Sequence, residues 1–269
     1  MPLRLSPTFG DALRASSRPL AGVWACSGSP LIAEVCAGSG MDWMLIDMEH
    51  SANSLESVLI QLQVCAGYPI LPVVRVPYND QVALKQVLDL GAQNVIVPMV
   101  SSAEEAAEAV ASLHYPPRGR RGVGSALARS ARWNRVDGYL QNAAQHVSLT
   151  VQIESVEGLA NVETIVRTPG VDAVFVGPSD LAASMGVIGQ QTHADVVAGV
   201  HRVFAAAHAA GIQVGVNAFD PAVAQSYVDA GADFVAVGAD VALLARATEA
   251  LAARWAPASD DPAAERASY

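Results

Sequence analysis

Charge is scarce in this chain. Charged residues fill 16% of its 269 positions, lysine occurs once, at Lys85, and the formal net charge is -10. A chain this apolar is not a disordered, solvated polymer. The acidic balance excludes nucleic acid and an anionic membrane surface as its main partner. Cysteine is sparse too: Cys26, Cys36 and Cys65 make no CxxC pair, so free thiols in a reducing compartment are expected. The opening Met1-Pro2-Leu3-Arg4-Leu5-Ser6 lacks the apolar core of a signal peptide. No apolar run reaches membrane-spanning length without Gly, Pro or charge interrupting it. These absences lead us to expect a cytoplasmic protein with no membrane partner. Several motifs are missing as well: GxGxxG, the Gly-Lys-Ser/Thr phosphate loop, HExxH and GxSxG. Imine chemistry needs a lysine at the site, and Lys85 falls on an expected outer helix.

What is present is apolar and repetitive. Apolar residues make up 52% of the chain, enough for one large core. Eight short apolar runs recur at 21–27, 43–49, 71–77, 94–100, 148–155, 173–180, 213–219 and 234–240. Most are continuous rather than alternating, as strands buried on both faces should be. Amphipathic stretches at 54–66, 80–90, 103–113, 195–210, 221–230 and 241–253 separate them. A glycine closes several of these helical stretches before the next run, as in Leu90-Gly91-Ala92 and Ala230-Gly231-Ala232. Eight βα units in this length predict an α/β fold, the (β/α)8 TIM barrel. We expect residues 1–256 to form a single barrel domain and residues 257–269 a disordered tail. The long connection 116–142, rich in Arg and Gly, is expected on the face that carries the active site.

Barrels of this kind build their sites at the C-terminal ends of the strands. Ionisable and polar groups stand there on four runs. Glu154 and Asp180 end the fifth and sixth; two carboxylates with open positions between them suit Mg²⁺ or Mn²⁺. Either could instead be a helix cap or an ion-pair partner. His50 closes Asp47-Met48-Glu49-His50 and is a general base by position, or a surface residue. Asp47 and Glu49 could orient water on a cation, or cap the helix that follows. Arg75 interrupts an apolar strand and must find an anion there. Pairing with Asp47 or Glu49 and stabilising an enolate oxygen are both open to it. Gly177-Pro178-Ser179-Asp180 opens a helix whose first N–H groups could hold a substrate carboxylate, or is an ordinary turn. Arg118, Arg120 and Arg121 could bind a distal anionic group of a substrate or pair across a subunit interface.

These stretches resemble one family. Asp42-Trp43-Met44-Leu45-Ile46-Asp47-Met48-Glu49-His50, Pro72-Val73-Val74-Arg75-Val76, Tyr115-Pro116-Pro117-Arg118-Gly119-Arg120-Arg121-Gly122-Val123-Gly124-Ser125-Ala126, Val151-Gln152-Ile153-Glu154 and Gly177-Pro178-Ser179-Asp180-Leu181 occur in family order. They are similar to the metal-dependent (class II) pyruvate aldolases of the 4-hydroxy-2-oxoheptanedioate and 2-dehydro-3-deoxyglucarate aldolase family, over residues 22–255. The resemblance implies a barrel of the phosphoenolpyruvate/pyruvate type and an aldehyde-lyase of the kind used in aromatic compound catabolism. It implies a divalent cation (Mg²⁺ or Mn²⁺, with Co²⁺ also suited) on Glu154 and Asp180, and pyruvate and an aldehyde as substrates. By the same resemblance His50 is the base, Asp89 its paired acid, and Arg75 the residue that steadies the enolate. Trp24, Gln152, Gly177, Pro178, Ser179 and Val216 line the substrate, with Val216 and Ala218 on the acceptor side. A homohexamer, a trimer of dimers exchanging the last helix, is also implied. Two alternatives stand beside this reading: a lyase on a CoA thioester, and a non-catalytic barrel that binds an oxo acid.

Overall fold

The computed structural model describes residues 3–255; the expected tail at 257–269 lies outside them. Eight parallel strands close into a barrel in chain order. They are β1 (Leu20–Ala25), β2 (Trp43–Asp47), β3 (Leu71–Arg75), β4 (Asn94–Val97), β5 (Ser148–Ile153), β6 (Ala173–Val176), β7 (Gln213–Asn217) and β8 (Phe234–Ala239). Each coincides with one apolar run, and each run overshoots its strand at the C-terminal end. The surplus residues belong to the loops that build the mouth. The expected helices are present, for example Leu55–Cys65, Gln81–Asp89 and Ala103–Leu113.

Side chains alternate across the barrel wall. Val74, Val151, Val174, Val176, Val214 and Val216 point outward into the core beneath the helices. Trp43, Leu45, Val73, Ile96, Phe175 and Phe234 point inward and fill the barrel. Three large rings need space at that level. Trp43 and Phe234 lie 5.7 Å apart edge to face, and Phe175 stacks on Phe234 at 5.8 Å. Gly22 and Gly215 provide it: a Cβ on Gly22 would stand 2.2 Å from the Trp43 ring, and one on Gly215 2.3 Å from Phe234.

The helix Phe9–Ala15 closes the N-terminal end of the barrel. Its seven residues make only about two turns, too few for periodicity to reveal. Phe9 sits 5.2 Å from Phe234 and 5.3 Å from Trp43. The first amides of the helix are satisfied from the strand starts: Asn94 Oδ1 accepts from Phe9 N at 2.7 Å, and Ser148 Oγ from Gly10 N at 3.2 Å.

The connection 116–142 leaves from and returns to that same closed end, and its residues 120–124 run along the outer helix Gln81–Asp89, where Arg120 O accepts from Gln81 Nε2; this corrects the expectation from sequence. It follows the helix Ala103–Leu113 and feeds the start of β5, so it is an αβ loop. Arg129 Nη1 donates to Leu90 O and Leu3 N donates to Arg135 O, both on that face. Arg118, Arg120 and Arg121 therefore cannot reach a substrate in the mouth of their own barrel. Arg121 is buried, 2.8 Å from Asp89 and stacked over Tyr115.

The last helix, Asp240–Trp255, covers little of the barrel. Among its residues only Asp240 is buried, while Leu243, Leu244, Leu251 and Trp255 are 56–76% exposed.

The packing of the aromatic layer has a measurable consequence. Gly22→Ala should lower unfolding stability by about 2 kcal/mol or more, because a rigid indole and strand backbone leave no room for the methyl. Urea titration reads this directly, and an unshifted midpoint would contradict the packing.

Candidate active site

The mouth is built by continuing the inward alternation past the aromatic layer. Asp47 follows Leu45 on β2, Arg75 follows Val73 on β3, and Gln152 and Glu154 end β5. Gly177 follows Phe175 and Asn217 follows Gly215. Asp47 and Arg75 are register partners, so their side chains project side by side.

Arg75 is 3% exposed and held by two acids. Its Nε donates to Asp47 Oδ1 at 2.8 Å, and its Nη1 lies 2.8 Å from Glu49 Oε2. The guanidinium carbon stands 4.3 Å over the Trp24 ring. Asp47 also shapes the loop beyond β2 by accepting the amides of Glu49 at 3.0 Å and His50 at 3.3 Å. Asn53 ties this loop to β1, donating to the carbonyls of Asp47 and Ala25. The ion-pair alternative for Arg75 is thus realised, and it leaves one amino group free of any acceptor among the described residues. His50 stands at the rim, 64% exposed, its Nε2 3.8 Å from Glu49 Oε1.

Glu154 is 2% exposed. Its Oε1 accepts from Met99 N at 2.8 Å, and its Oε2 accepts from the Gln152 amide. Met99 holds a left-handed backbone, φ 55°, a strained setting for a side-chain-bearing residue. Its N–H is the backbone donor that meets the carboxylate. Asp180 occupies the first turn of the helix Pro178–Ser184 and is exposed at the mouth. Between the two acids lies Gly177, where a Cβ would come 2.5 Å from Glu154 Oε2 and 3.1 Å from Gln152 Nε2. Pro178 is buried, and Ser179 Oγ accepts from Gln191 at 2.8 Å.

The electrostatics show an excess of negative charge. Burial pushes the Glu154 carboxyl up to about 7, with Asp180 and Glu49 adding repulsion. Burial likewise lifts Glu49 to about 7, opposed by Arg75 and reinforced by Asp47 and Asp180. Arg75 is engaged by Asp47 and Glu49, not by Glu154 or Asp180. No cage of three or more His, Cys, Asp or Glu occurs among the described residues. Two carboxylates facing a repulsive field are the donor set a hard divalent cation fits, with positions left for a ligand. Three buried polar atoms around the mouth lack any protein partner: Trp24 Nε1, Gln152 Oε1 and Asn217 Oδ1.

Thus His50, Arg75, Glu154, Asp180, Trp24, Gln152, Gly177, Pro178, Ser179, Asp47 and Glu49 stand at the mouth. Three expected residues do not: Ala218, Val216 and Asp89. Ala218 belongs to the helix-facing core. The Val216 side chain points into the helix-facing core, so only its backbone can reach a ligand; its neighbour Asn217 faces inward. Alternation selects Asn217 over Val216 only once the register shows that Gly215 faces inward, so the sequence alone carried no signal for it. Asp89 ends the helix Gln81–Asp89, at the closed end of its own barrel, bound to Arg121.

Comparison with known proteins agrees with this geometry. Residues 20–247 match the family model described as HpcH/HpaI aldolase/citrate lyase. The chain is 49% identical over 247 residues to a protein of Salmonella dublin named 4-hydroxy-2-oxo-heptane-1,7-dioate aldolase, covering 92% of this chain and 94% of that one. Among solved structures, an HpcH/HpaI aldolase/citrate lyase family protein from Burkholderia cenocepacia J2315 superposes with a TM-score of 0.88 at 41% identity, covering 91% of this chain and 97% of that one. An HpcH/HpaI aldolase from Desulfitobacterium hafniense DCB-2 gives 0.84 at 27% identity, covering 96% and 100%.

The raised carboxyl values set a pH dependence. Glu49 and Glu154 bind protons more tightly folded than unfolded, so their contribution is full below about 4.5 and is lost as pH rises through about 7. Chelator-treated protein should therefore melt at a lower temperature at pH 8 than at pH 5.5. Added Mg²⁺ or Mn²⁺ should narrow the gap, since the cation requires the ionised form. A melting temperature that rises with pH in chelator would refute the assignment.

Proposed function

The chain belongs to the HpcH/HpaI aldolase/citrate lyase family and is a carbon–carbon lyase; from that premise we propose that it reversibly cleaves 4-hydroxy-2-oxo acids to pyruvate and an aldehyde. Substrates such as 4-hydroxy-2-oxoheptanedioate or 2-dehydro-3-deoxyglucarate have the required functional groups. The observation that carries this reading is the buried guanidinium of Arg75, held by Asp47 and Glu49, in the same barrel mouth as the carboxylates Glu154 and Asp180, which no arginine or lysine pairs among the described residues. Enolate chemistry requires a fixed cationic donor next to a chelation site.

Glu154 and Asp180 would hold the divalent cation, Mg²⁺ or Mn²⁺ by donor chemistry, which polarises the oxo group of pyruvate when bound. Arg75 donates to the oxygen that gains charge as the enolate forms. Its ion pairs with Asp47 and Glu49 fix that position before substrate arrives. In cleavage, His50 takes the proton of the C4 hydroxyl, the C3–C4 bond breaks, and the electron pair passes into the pyruvate enolate while C4 leaves as the aldehyde. Protonation at C3 completes pyruvate. Gln152, the Trp24 indole N–H and the amides of Ser179 and Asp180 orient the oxo acid, and Gly177 and Pro178 form its floor.

Asp89 serves His50 only from another copy of the chain, because the two lie at opposite ends of one barrel. Charge supports such a contact: the connection 116–142 carries six arginines against one acid and surrounds Asp89, whereas the mouth is acidic. The exposed apolar face of Asp240–Trp255 supports helix exchange between subunits. Both features support contact between copies, and the homohexamer, a trimer of dimers, is the assembly that the family resemblance implies. The match to an aldolase over 92% of this chain and 94% of the relative favours this reading over the CoA-thioester and non-catalytic alternatives.

Proton exchange at the pyruvate methyl in deuterium oxide, followed by NMR, tests the chemistry. Arg75→Ala and Glu154→Gln should each slow exchange by about 100-fold or more; exchange at the rate of the unaltered protein in either variant would sink the proposal. Subunit sharing has its own test. Mixed after dissociation, inactive His50→Asn and Asp89→Asn chains should recover activity in hybrid oligomers of about six chains by light scattering. Hybrids of that size with no recovery would place both residues in one subunit's site or remove Asp89 from the reaction.

A further inference from the structure

Asn217 is the mouth residue that neither the resemblance nor the reaction above employs. Its place follows from register. Ile153 pairs Val176, and Val176 pairs Val216; all three side chains point outward into the helix-facing core. The next row, Glu154, Gly177 and Asn217, therefore faces the barrel interior. Glu154 and Asn217 flank Gly177, one on each side. Adjacent strands lie about 4.8 Å apart, so the two backbones stand about 10 Å from each other. Gly177 contributes no side chain to the gap, and the space its Cβ would take is filled by Glu154 Oε2 and Gln152 Nε2. A ligand held at Glu154 thus has Asn217 as its neighbour across the glycine.

The Asn217 side chain is not satisfied by the protein. Its Oδ1 is buried and has no hydrogen-bond partner. A buried amide oxygen left unpaired is destabilising unless a ligand donates to it. Pyruvate has no donor: its oxo and carboxylate oxygens only accept. Of the two substrates, only the aldehyde can supply the donor. An aldehyde with a hydroxyl on the carbon next to its carbonyl has one, and that hydroxyl can also accept from the Asn217 amino group. An unsubstituted aldehyde presents only methylene there and leaves Oδ1 unpaired.

We propose that Asn217 is a specificity-determining residue that selects α-hydroxyaldehydes as the acceptor in synthesis, and correspondingly 5-hydroxylated 4-hydroxy-2-oxo acids in cleavage. This rests on the aldolase reading and narrows its substrate class. In the synthetic direction C3 of pyruvate bonds to the aldehyde carbon, the carbonyl oxygen takes the proton that C3 released, and the α-hydroxyl passes unchanged into the product. Discrimination through a buried polar group is the strong kind, because the wrong substrate strands that group.

Glycolaldehyde and propanal differ by that hydroxyl in place of a methyl and have nearly the same size. The ratio of their kcat/KM values with pyruvate is measured for the unaltered protein, for Asn217→Leu and for Asn217→Ser. Comparing ratios between proteins cancels the intrinsic reactivity of the two aldehydes. Asn217→Leu should shift the ratio toward propanal by about tenfold or more, while Asn217→Ser, which keeps a donor and acceptor, should retain most of the preference. A ratio equal in all three proteins overturns the assignment, as does a larger glycolaldehyde preference in the leucine variant. If Asn217→Leu does not fold, Asn217→Ala replaces it, with the same shift expected and an unmoved ratio equally fatal. Deuterium exchange into pyruvate by the unaltered protein separates the two levels. Absent exchange removes the aldolase reading itself, and present exchange with unmoved ratios removes only the role of Asn217.

Discussion

The mouth of this barrel depends on one buried guanidinium shared by two acids. Arg75 contacts Asp47 and Glu49 at 2.8 Å each, with the Trp24 ring beneath it. Removing any of the three charges would strand the others in a poorly solvated wall. The same Asp47 carboxylate accepts two amides of the following loop, so the ion pair that neutralises the arginine also fixes where Glu49 and His50 stand. The cation proposed to meet transition-state charge is positioned by the bonds that make its burial tolerable.

Across the mouth the opposite condition holds. Glu154 is buried beside no cation of its own, and its partners are neutral donors, Met99 N and the Gln152 amide. The raised carboxyl follows from that imbalance. One half of the site is a completed ion pair and the other an uncompensated pair of acids. That asymmetry suits a cation-assisted reaction in which a fixed guanidinium and a bound metal share the charge of one enolate. The ends of the molecule are asymmetric too: acids gather at the open end and arginines in the connection 116–142 at the closed one. Copies of such a chain are electrostatically suited to meet end to face.

Much of this was legible in the residues. The eight apolar runs became eight strands because strands buried on both faces need continuous apolar sequence. Glu154, Asp180, Arg75 and His50 were legible as strand-end polar groups, which a barrel gathers at one end whatever its loops do. Other features were not. Val216 and Asn217 are one residue apart, and only register shows which of them faces the ligand. The helix Phe9–Ala15 is too short for a periodic signal. The connection 116–142 reads as an active-site loop until its place after a helix is known.

The sequence by itself determined the number of βα units, the residues able to carry charge at the strand ends, and the absence of a lysine for imine chemistry. These are local properties, set by hydropathy and side-chain type. Tertiary structure decided which end of the barrel each loop occupies, which member of each strand-end pair faces inward, and that Asp89 stands away from the His50 of its own chain. Those facts depend on barrel closure and strand register, where a shift of one residue turns every side chain to the other face. No stretch of sequence read alone contains them.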